Sequence, residues 1–380
     1  MKSYQDIAND TERELTENRG WVERYNKYYN DINPDSSRAK YVTEVVKSFR
    51  CENGLTKYTS IGRVMNSSKV VNVDLRINGH SVAAYKTMLT GEVKKAFDDD
   101  IPTKERRKII RESSSIEFDE KGLIKVASSD SLFKKDFSYL AEKYKSSTVK
   151  WNSKEATEFR RVMKGIESKS THSEHTIESQ LLKRLSSKKS AGKPILGIQP
   201  IILCGAYFQL VTPLKASDVE EKDIVAYSKD KNGIDRAGGG IDILARIKNQ
   251  NNMPELCVIE LKDNYTDEEK PTKAIKQAIA YATFLDRLIR SDQSKGDLWY
   301  KKILTKNSTI KEQIKINAVI AMPYREDDRI IEEDRELAGK KINLKTGDII
   351  ELHYLFFDKK CLYDDDMKVT CSLQTYKKSR

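Results

Sequence analysis

Hydrophobic and polar positions change texture along this chain. The first 30 residues are polar, with apolar side chains at helical spacing (Leu15, Val22, Tyr25, Tyr29), and that pattern stops near Asn33-Pro34. Val70 to Ile77 alternates and predicts a strand, whereas Ala83 to Phe97 reads as a helix. Ser115-Ile116-Glu117-Phe118 and Leu123-Ile124-Lys125-Val126 flank Glu120-Lys121-Gly122, a hairpin pattern. Two more helices are predicted near 131–146 and 153–167. From Ile177 the apolar runs lengthen. A helix over 174–187 leads to apolar strands over 195–212, a polar loop and Gly238-Gly239-Gly240. A strand with Asp242 follows, then one with Glu260 and Lys262, a helix over 272–290, and strands near 315–322 and 348–357. Helix, three strands, helix, strand predicts a mixed α/β core. The polar stretch Ser168 to Thr176 divides the textures, giving an N-terminal α+β domain (1–169) and a second domain (170–380).

The chemistry lies in the second half. Ile241-Asp242-Ile243-Leu244-Ala245 and Leu256-Cys257-Val258-Ile259-Glu260-Leu261-Lys262 read as buried strands. A carboxylate there is costly unless it is paired, hydrogen-bonded or bound to a metal. Residues two apart on a strand share a face, so Glu260 and Lys262 point the same way, and Asp242 can join them if the strands are neighbours. Two carboxylates about 5 Å apart repel by ~3 kcal/mol at an effective dielectric near 20, which Lys262 or a divalent cation would offset. Oxygen ligands without nearby His or Cys favour Mg²⁺ or Mn²⁺ over Zn²⁺. Such an ion can activate a water and hold a scissile phosphate, with Lys262 orienting the water and neutralising developing charge. The rival reading is a solvated Glu–Lys ion pair worth little. Three features argue against it. Gln277 and Tyr281 lie four apart on the long helix, flanked by Lys273 and Lys276 as candidate phosphate contacts. Glu178 shares the apolar stripe of Leu181, Leu182 and Leu185, where a glutamate is unusual. The glycine run allows close backbone approach, although a flexible loop is the more ordinary account of it.

Charge widens the picture. The net charge is +11 and 33% of residues are charged, and the basic excess is spread over both halves. This favours an anionic partner, nucleic acid first. The 38% of hydrophobic residues suffices for a core, and no stretch approaches 18 apolar residues, so a soluble, cytoplasmic protein with no membrane contact is expected. Cys51, Cys204, Cys257, Cys361 and Cys371 are odd in number and widely spaced, as expected of reduced thiols. His172 and His175 have no third ligand nearby. Asp98-Asp99-Asp100 and Asp364-Asp365-Asp366 lack the alternation of a calcium loop. There is no P-loop and no Gly-x-Ser-x-Gly elbow.

The ordered set Glu178, Asp242, Glu260-Leu261-Lys262 and Gln277-x-x-x-Tyr281, over roughly residues 170 to 325, resembles the PD-(D/E)xK nuclease superfamily, and its last element looks like the RecB-type nuclease branch. The chain departs from the family in carrying Ile241 where the family name has proline. The resemblance implies a restriction-endonuclease-like core, that is, a mixed central sheet flanked by helices, and divalent-metal-dependent hydrolysis of phosphodiester bonds, usually in DNA. By position, Asp242 and Glu260 would be metal ligands with the Leu261 carbonyl as a third. Lys262 would be the catalytic lysine, Glu178 an auxiliary acid, and Gln277 and Tyr281 active-site helix residues. The pairing with an unrelated N-terminal domain is similar to Shedu-type antiphage defence nucleases. Expected, then, is a Mg²⁺- or Mn²⁺-dependent deoxyribonuclease in foreign-DNA defence whose N-terminal domain targets or controls cleavage. RNA is not excluded as a partner, and a dimer or tetramer would supply paired active sites. The alternatives are a sequence-specific restriction endonuclease and a non-catalytic nucleic-acid-binding protein on the same fold.

Overall fold

The computed structural model describes residues 2–49, 55–60, 69–77, 79–97, 101–129, 134–145, 147–164, 174–186, 195–219, 238–248, 253–266, 269–306, 308–325, 330–360 and 368–373. In chain order, the first half contains α1 (Tyr4–Glu17), α2 (Gly20–Ile32), α3 (Ser37–Ser48), β1 (Thr56–Ser60), β2 (Val70–Ile77), β3 (His80–Met88), α4 (Gly91–Lys95), α5 (Thr103–Glu112), β4 (Ser114–Phe118), α6 (Glu120–Ser129), α7 (Lys134–Tyr144), β5 (Thr148–Lys150) and α8 (Lys154–Lys164). Then come α9 (Glu174–Ser186), β6 (Ile198–Pro200), β7 (Ile202–Leu203), β8 (Ala206–Gln209), β9 (Ile243–Lys248), β10 (Pro254–Leu261), α10 (Pro271–Arg290), α11 (Gly296–Leu298), β11 (Lys315–Pro323), α12 (Glu332–Leu337), β12 (Lys341–Asn343), β13 (Ile349–Phe357) and β14 (Val369–Cys371). The architecture is α/β. Among the described residues, no helix is long and apolar enough to cross a membrane, and Cys204, Cys257 and Cys371 form no disulfide. Cys51, Cys361, His172 and both Asp-Asp-Asp runs lie outside the described residues.

Two compact units emerge. One holds residues 30–179 and 202–208, and the other holds 1–29, 180–201 and 209–380. The expected division at residue 169/170 therefore differs from the observed one at both ends. Residues 1–29 were expected in the N-terminal domain, yet they join the C-terminal unit because α1 and α2 pack on α10. Trp21 and Tyr25 meet Phe284 edge-on at ring-centroid distances of 5.6 and 5.1 Å, and Tyr4 Oη donates to the Thr272 carbonyl (3.1 Å). Such aromatic contacts bury large apolar areas and outweigh chain proximity. Ser3 starts α1 with a capping box, its hydroxyl accepting from Asp6 N–H while Asp6 accepts from Ser3.

In the unit of residues 30–179 and 202–208, a seven-stranded sheet runs β5-β4-β3-β2-β1-β8-β7. Two expectations fail here. Residues 83–97 are not one helix: 80–88 form β3, paired antiparallel with both β2 and β4, and Thr90 caps the short α4. An alanine-containing run of ambiguous period was decided by its strand neighbours. Residues 115–126 are not a hairpin either. After β4, the Asp119 carboxylate accepts Gly122 N–H (3.0 Å) and opens α6. Gly122 serves close approach rather than a turn, since a Cβ there would lie 1.5 Å from the Ser81 carbonyl oxygen. The apolar stretch 195–212 becomes three short strands, β6 going to the other sheet while β7 and β8 turn through Cys204 and Gly205, both at positive φ (51° and 84°).

The other sheet runs β12-β13-β11-β10-β9-β6, with β14 also on β13. β10 is antiparallel to β9 and parallel to β11, and β11 is parallel to β13, so the sheet is mixed. Leu256 to Leu261 and Ile316 to Met322 are buried without interruption, as central strands covered on both faces must be. Helix α10 makes the crossover from β10 to the parallel β11 and packs on both. It opens with Pro271 in its first turn, continues through an alanine-rich stretch and ends with Arg287 and Arg290 in its last turn.

Candidate active site

The site forms at the carboxyl end of β10, where open α/β sheets place their ligands. Ile243 faces Ile259 and Leu244 faces Val258 across β9 and β10. That register ends at Ile243 and Ile259, so Asp242 immediately precedes the paired part of β9 and Glu260 immediately follows its partner on β10. Asp242 occupies the bend just before β9, and its Oδ2 accepts the Leu261 N–H at 2.9 Å. Lys262 N–H donates instead to the Ala321 carbonyl on β11 (2.9 Å). Because successive strand residues aim their N–H and C=O groups to alternate sides, the Leu261 carbonyl is directed toward β9, the side from which Asp242 approaches.

Glu260 and Lys262 are 5% and 9% exposed, and Lys262 Nζ donates to Glu260 Oε1 at 3.2 Å. Their common face follows from the two-residue strand period, which the sequence shows directly. The position of Asp242 depends on a strand pairing that no local pattern displays. Two carboxylates and one backbone carbonyl, all hard oxygen donors, fit Mg²⁺ or Mn²⁺, which bind through one or two carboxylates and keep several waters. Among the described residues, no group of three or more His, Cys, Asp or Glu side chains is placed to hold a metal ion. A cation here would therefore rely on the carbonyl and on water for the rest of its shell.

Tyr281 on α10 reaches the chain just ahead of Asp242. A Cβ on Gly239 would lie 2.5 Å from the Tyr281 hydroxyl. The glycine run is also held by backbone hydrogen bonds, from Thr212 N–H to the Gly239 carbonyl (2.8 Å) and from Gly239 N–H to the Leu214 carbonyl (2.6 Å). It is thus a paired segment beside an aromatic ring and not a loose loop, a role invisible without the partners. Gln277 lies one turn before Tyr281 and is half-buried. Lys273 is exposed, whereas Lys276 is only 3% exposed, so Lys276 is not a surface position.

Glu178 belongs to the unit of residues 30–179 and 202–208, and Asp242 and Glu260 to the other. It is buried on α9 beside Ile177 and Leu181, as its apolar stripe predicts. Its carboxylate accepts the Tyr58 hydroxyl (3.3 Å) and faces His175 Nδ1 (3.6 Å), both within the same unit. Hydrogen bonding to Glu178 raises the His175 pKa, while burial, followed by the Glu178 charge, pushes the Tyr58 hydroxyl well above its usual value. Arg76 stacks on the Tyr58 ring at 4.2 Å and pairs with Asp74 at 2.7 Å. Spacing revealed Glu178 as an oddity but carried no signal for Tyr58, which is 120 residues away.

No family model, curated protein or solved structure matches this chain.

Proposed function

We propose that this protein is a Mg²⁺- or Mn²⁺-dependent nuclease that hydrolyses phosphodiester bonds of DNA, built on a restriction-endonuclease-like core and acting against foreign DNA. The observation that supports this reading is the Asp242 carboxylate on the Leu261 amide, the residue between the paired Glu260 and Lys262. Asp242, Glu260 and the Leu261 carbonyl would hold the cation, which supplies charge neutralisation at the phosphate and a more acidic water. Lys262, poised beside Glu260, would orient the attacking water and donate hydrogen bonds to the phosphate oxygens as charge builds. Tyr281, beside Gly239, and Gln277 one turn earlier would be the active-site helix residues, and Glu178 is carried as an auxiliary acid on the resemblance alone. The other unit would target or control cleavage.

A second reading is favoured by one feature: Glu260 and Lys262 already neutralise each other, as a purely structural pair would. The fold would then bind nucleic acid without cutting it. Incubation of linear, circular and single-stranded DNA with Mg²⁺ or with EDTA separates the two. Cleavage that requires the metal and falls at least a hundredfold in both Glu260→Gln and Lys262→Met supports the nuclease. Equal cleavage by both purified variants, or none by the wild type, removes it.

A further inference from the structure

The surface of α5 carries a pattern that the candidate active site does not use. Lys104, Arg107, Lys108 and Arg111 fall at i, i+3, i+4 and i+7, within an arc of about 100° of the helix. Lys104, Arg107 and Lys108 are exposed and Arg111 is half-exposed. The opposite side faces inward: Ile110 is fully buried, and Arg106 turns to Glu44 (3.3 Å) and the Ile101 carbonyl (3.2 Å). Glu105 and Glu112 lie outside the basic arc, and Glu112 meets Lys108 at 3.9 Å. Helix α4, packed against α5, adds exposed Lys94 and Lys95.

This arrangement is unfavourable by itself. The four cations make four like-charge neighbour pairs at i,i+3 or i,i+4, each destabilising to the helix. Lys104 also stands in the first turn, where the helix dipole opposes a positive charge. An external polyanion adds attraction to each of these charges and so offsets the repulsion.

We propose that the outward face of α5 is a contact surface for the phosphate backbone of nucleic acid. The choice of DNA as the probe rests on the nuclease reading, but the surface itself does not. From Lys104 to Arg111 the helix rises about 10 Å, which matches some three phosphates of one strand at 3.4 Å of rise each. An anionic membrane fits less well, because a helix that inserts at a lipid surface needs a free apolar face and that of α5 is buried in its own unit.

The test is fluorescence anisotropy of the full chain with a short labelled DNA duplex in EDTA, where no metal-dependent hydrolysis intervenes. The quadruple variant K104Q/R107Q/K108Q/R111Q removes the face while keeping good helix formers. K121Q/K125Q/R161Q/K164Q removes the same charge from exposed positions on α6 and α8. Expected is a loss of affinity of at least tenfold for the α5 variant, with the slope of log K against log salt shallower by about 3, and a much smaller change for the control. The proposal is overturned if both variants weaken alike, if the α5 variant binds like wild type, or if the wild type does not bind. Loss of binding to phosphatidylserine vesicles with duplex binding intact would overturn it as well. Wild-type binding without cleavage in Mg²⁺ would instead count against the nuclease reading and leave this surface standing.

Discussion

Replacing Asp286 with asparagine should stabilise the unit of residues 1–29, 180–201 and 209–380 in alkaline solution. Asp286 on α10 and Asp348, just ahead of β13, are both fully buried and hydrogen-bonded to each other, which requires a proton on Asp286. Arg290 donates to both oxygens of Asp348 (2.7 and 2.5 Å), and Ile314 N–H adds a third bond (2.7 Å), so Asp348 is surrounded by donors. Asp286 accepts from the Thr346 hydroxyl, 3.1 Å from each of its oxygens, and the buried Glu12 adds further negative charge. Burial first, and Asp348 second, push the Asp286 carboxyl from 3.8 up to about 8. Between those values the folded chain holds a proton that the unfolded chain has lost, so stability is full below about pH 4 and declines as pH rises through about 8. The decline is about 1.4 kcal/mol per pH unit, of order 5 kcal/mol in all. An asparagine amide keeps a donor toward Asp348 and has nothing to ionise.

Urea denaturation at a series of pH values measures this. In a Trp151→Phe background, Trp21 and Trp299 are the remaining tryptophans and both lie in the unit concerned. Wild-type stability should fall steadily from pH 5 to 8.5, while the Asp286→Asn curve loses that slope and ends several kcal/mol higher. Infrared spectra should show the carbonyl stretch of a neutral carboxylic acid at pH 7 in the wild type only. Parallel stability curves for the two proteins would refute the shared-proton account.

Two further outcomes follow from single contacts. Gly239→Ala drives a methyl to 2.5 Å from the Tyr281 hydroxyl and should cost about 1–3 kcal/mol by overpacking. Adding Tyr281→Phe should restore part of that loss in the same denaturation assay, since the ring carbon stands at an ordinary 3.7 Å. Burial, then His175, Lys125 and Arg76, lower the His80 pKa to about 4, whereas His175 is raised. In an NMR titration His80 should stay neutral until well below pH 5, with His175 titrating above the usual 6.5. His80 then subtracts stability as pH falls from its ordinary value toward 4.

Local pattern carried far in this chain. The β2 strand, the α7, α8, α9 and α10 helices, and the common face of Glu260 and Lys262 all follow from a period of 2 or 3.6 written in neighbouring residues. So does the inward placement of Glu178. The pairing of Asp286 with Asp348 was not legible, because Asp348 lies 62 positions downstream.

Tertiary structure decided whatever depends on which surfaces meet. Pairing with β2 and β4 made residues 80–88 a strand, and Asp119 with a close approach to Ser81 made 120–129 a helix. Aromatic packing on α10 drew the first 29 residues into the distant C-terminal unit. The β9–β10 register alone brought Asp242 to the Leu261 amide. Periodicity reports which face of an element is apolar. The partner that buries that face is chosen by long-range complementarity, which no window of adjacent residues contains.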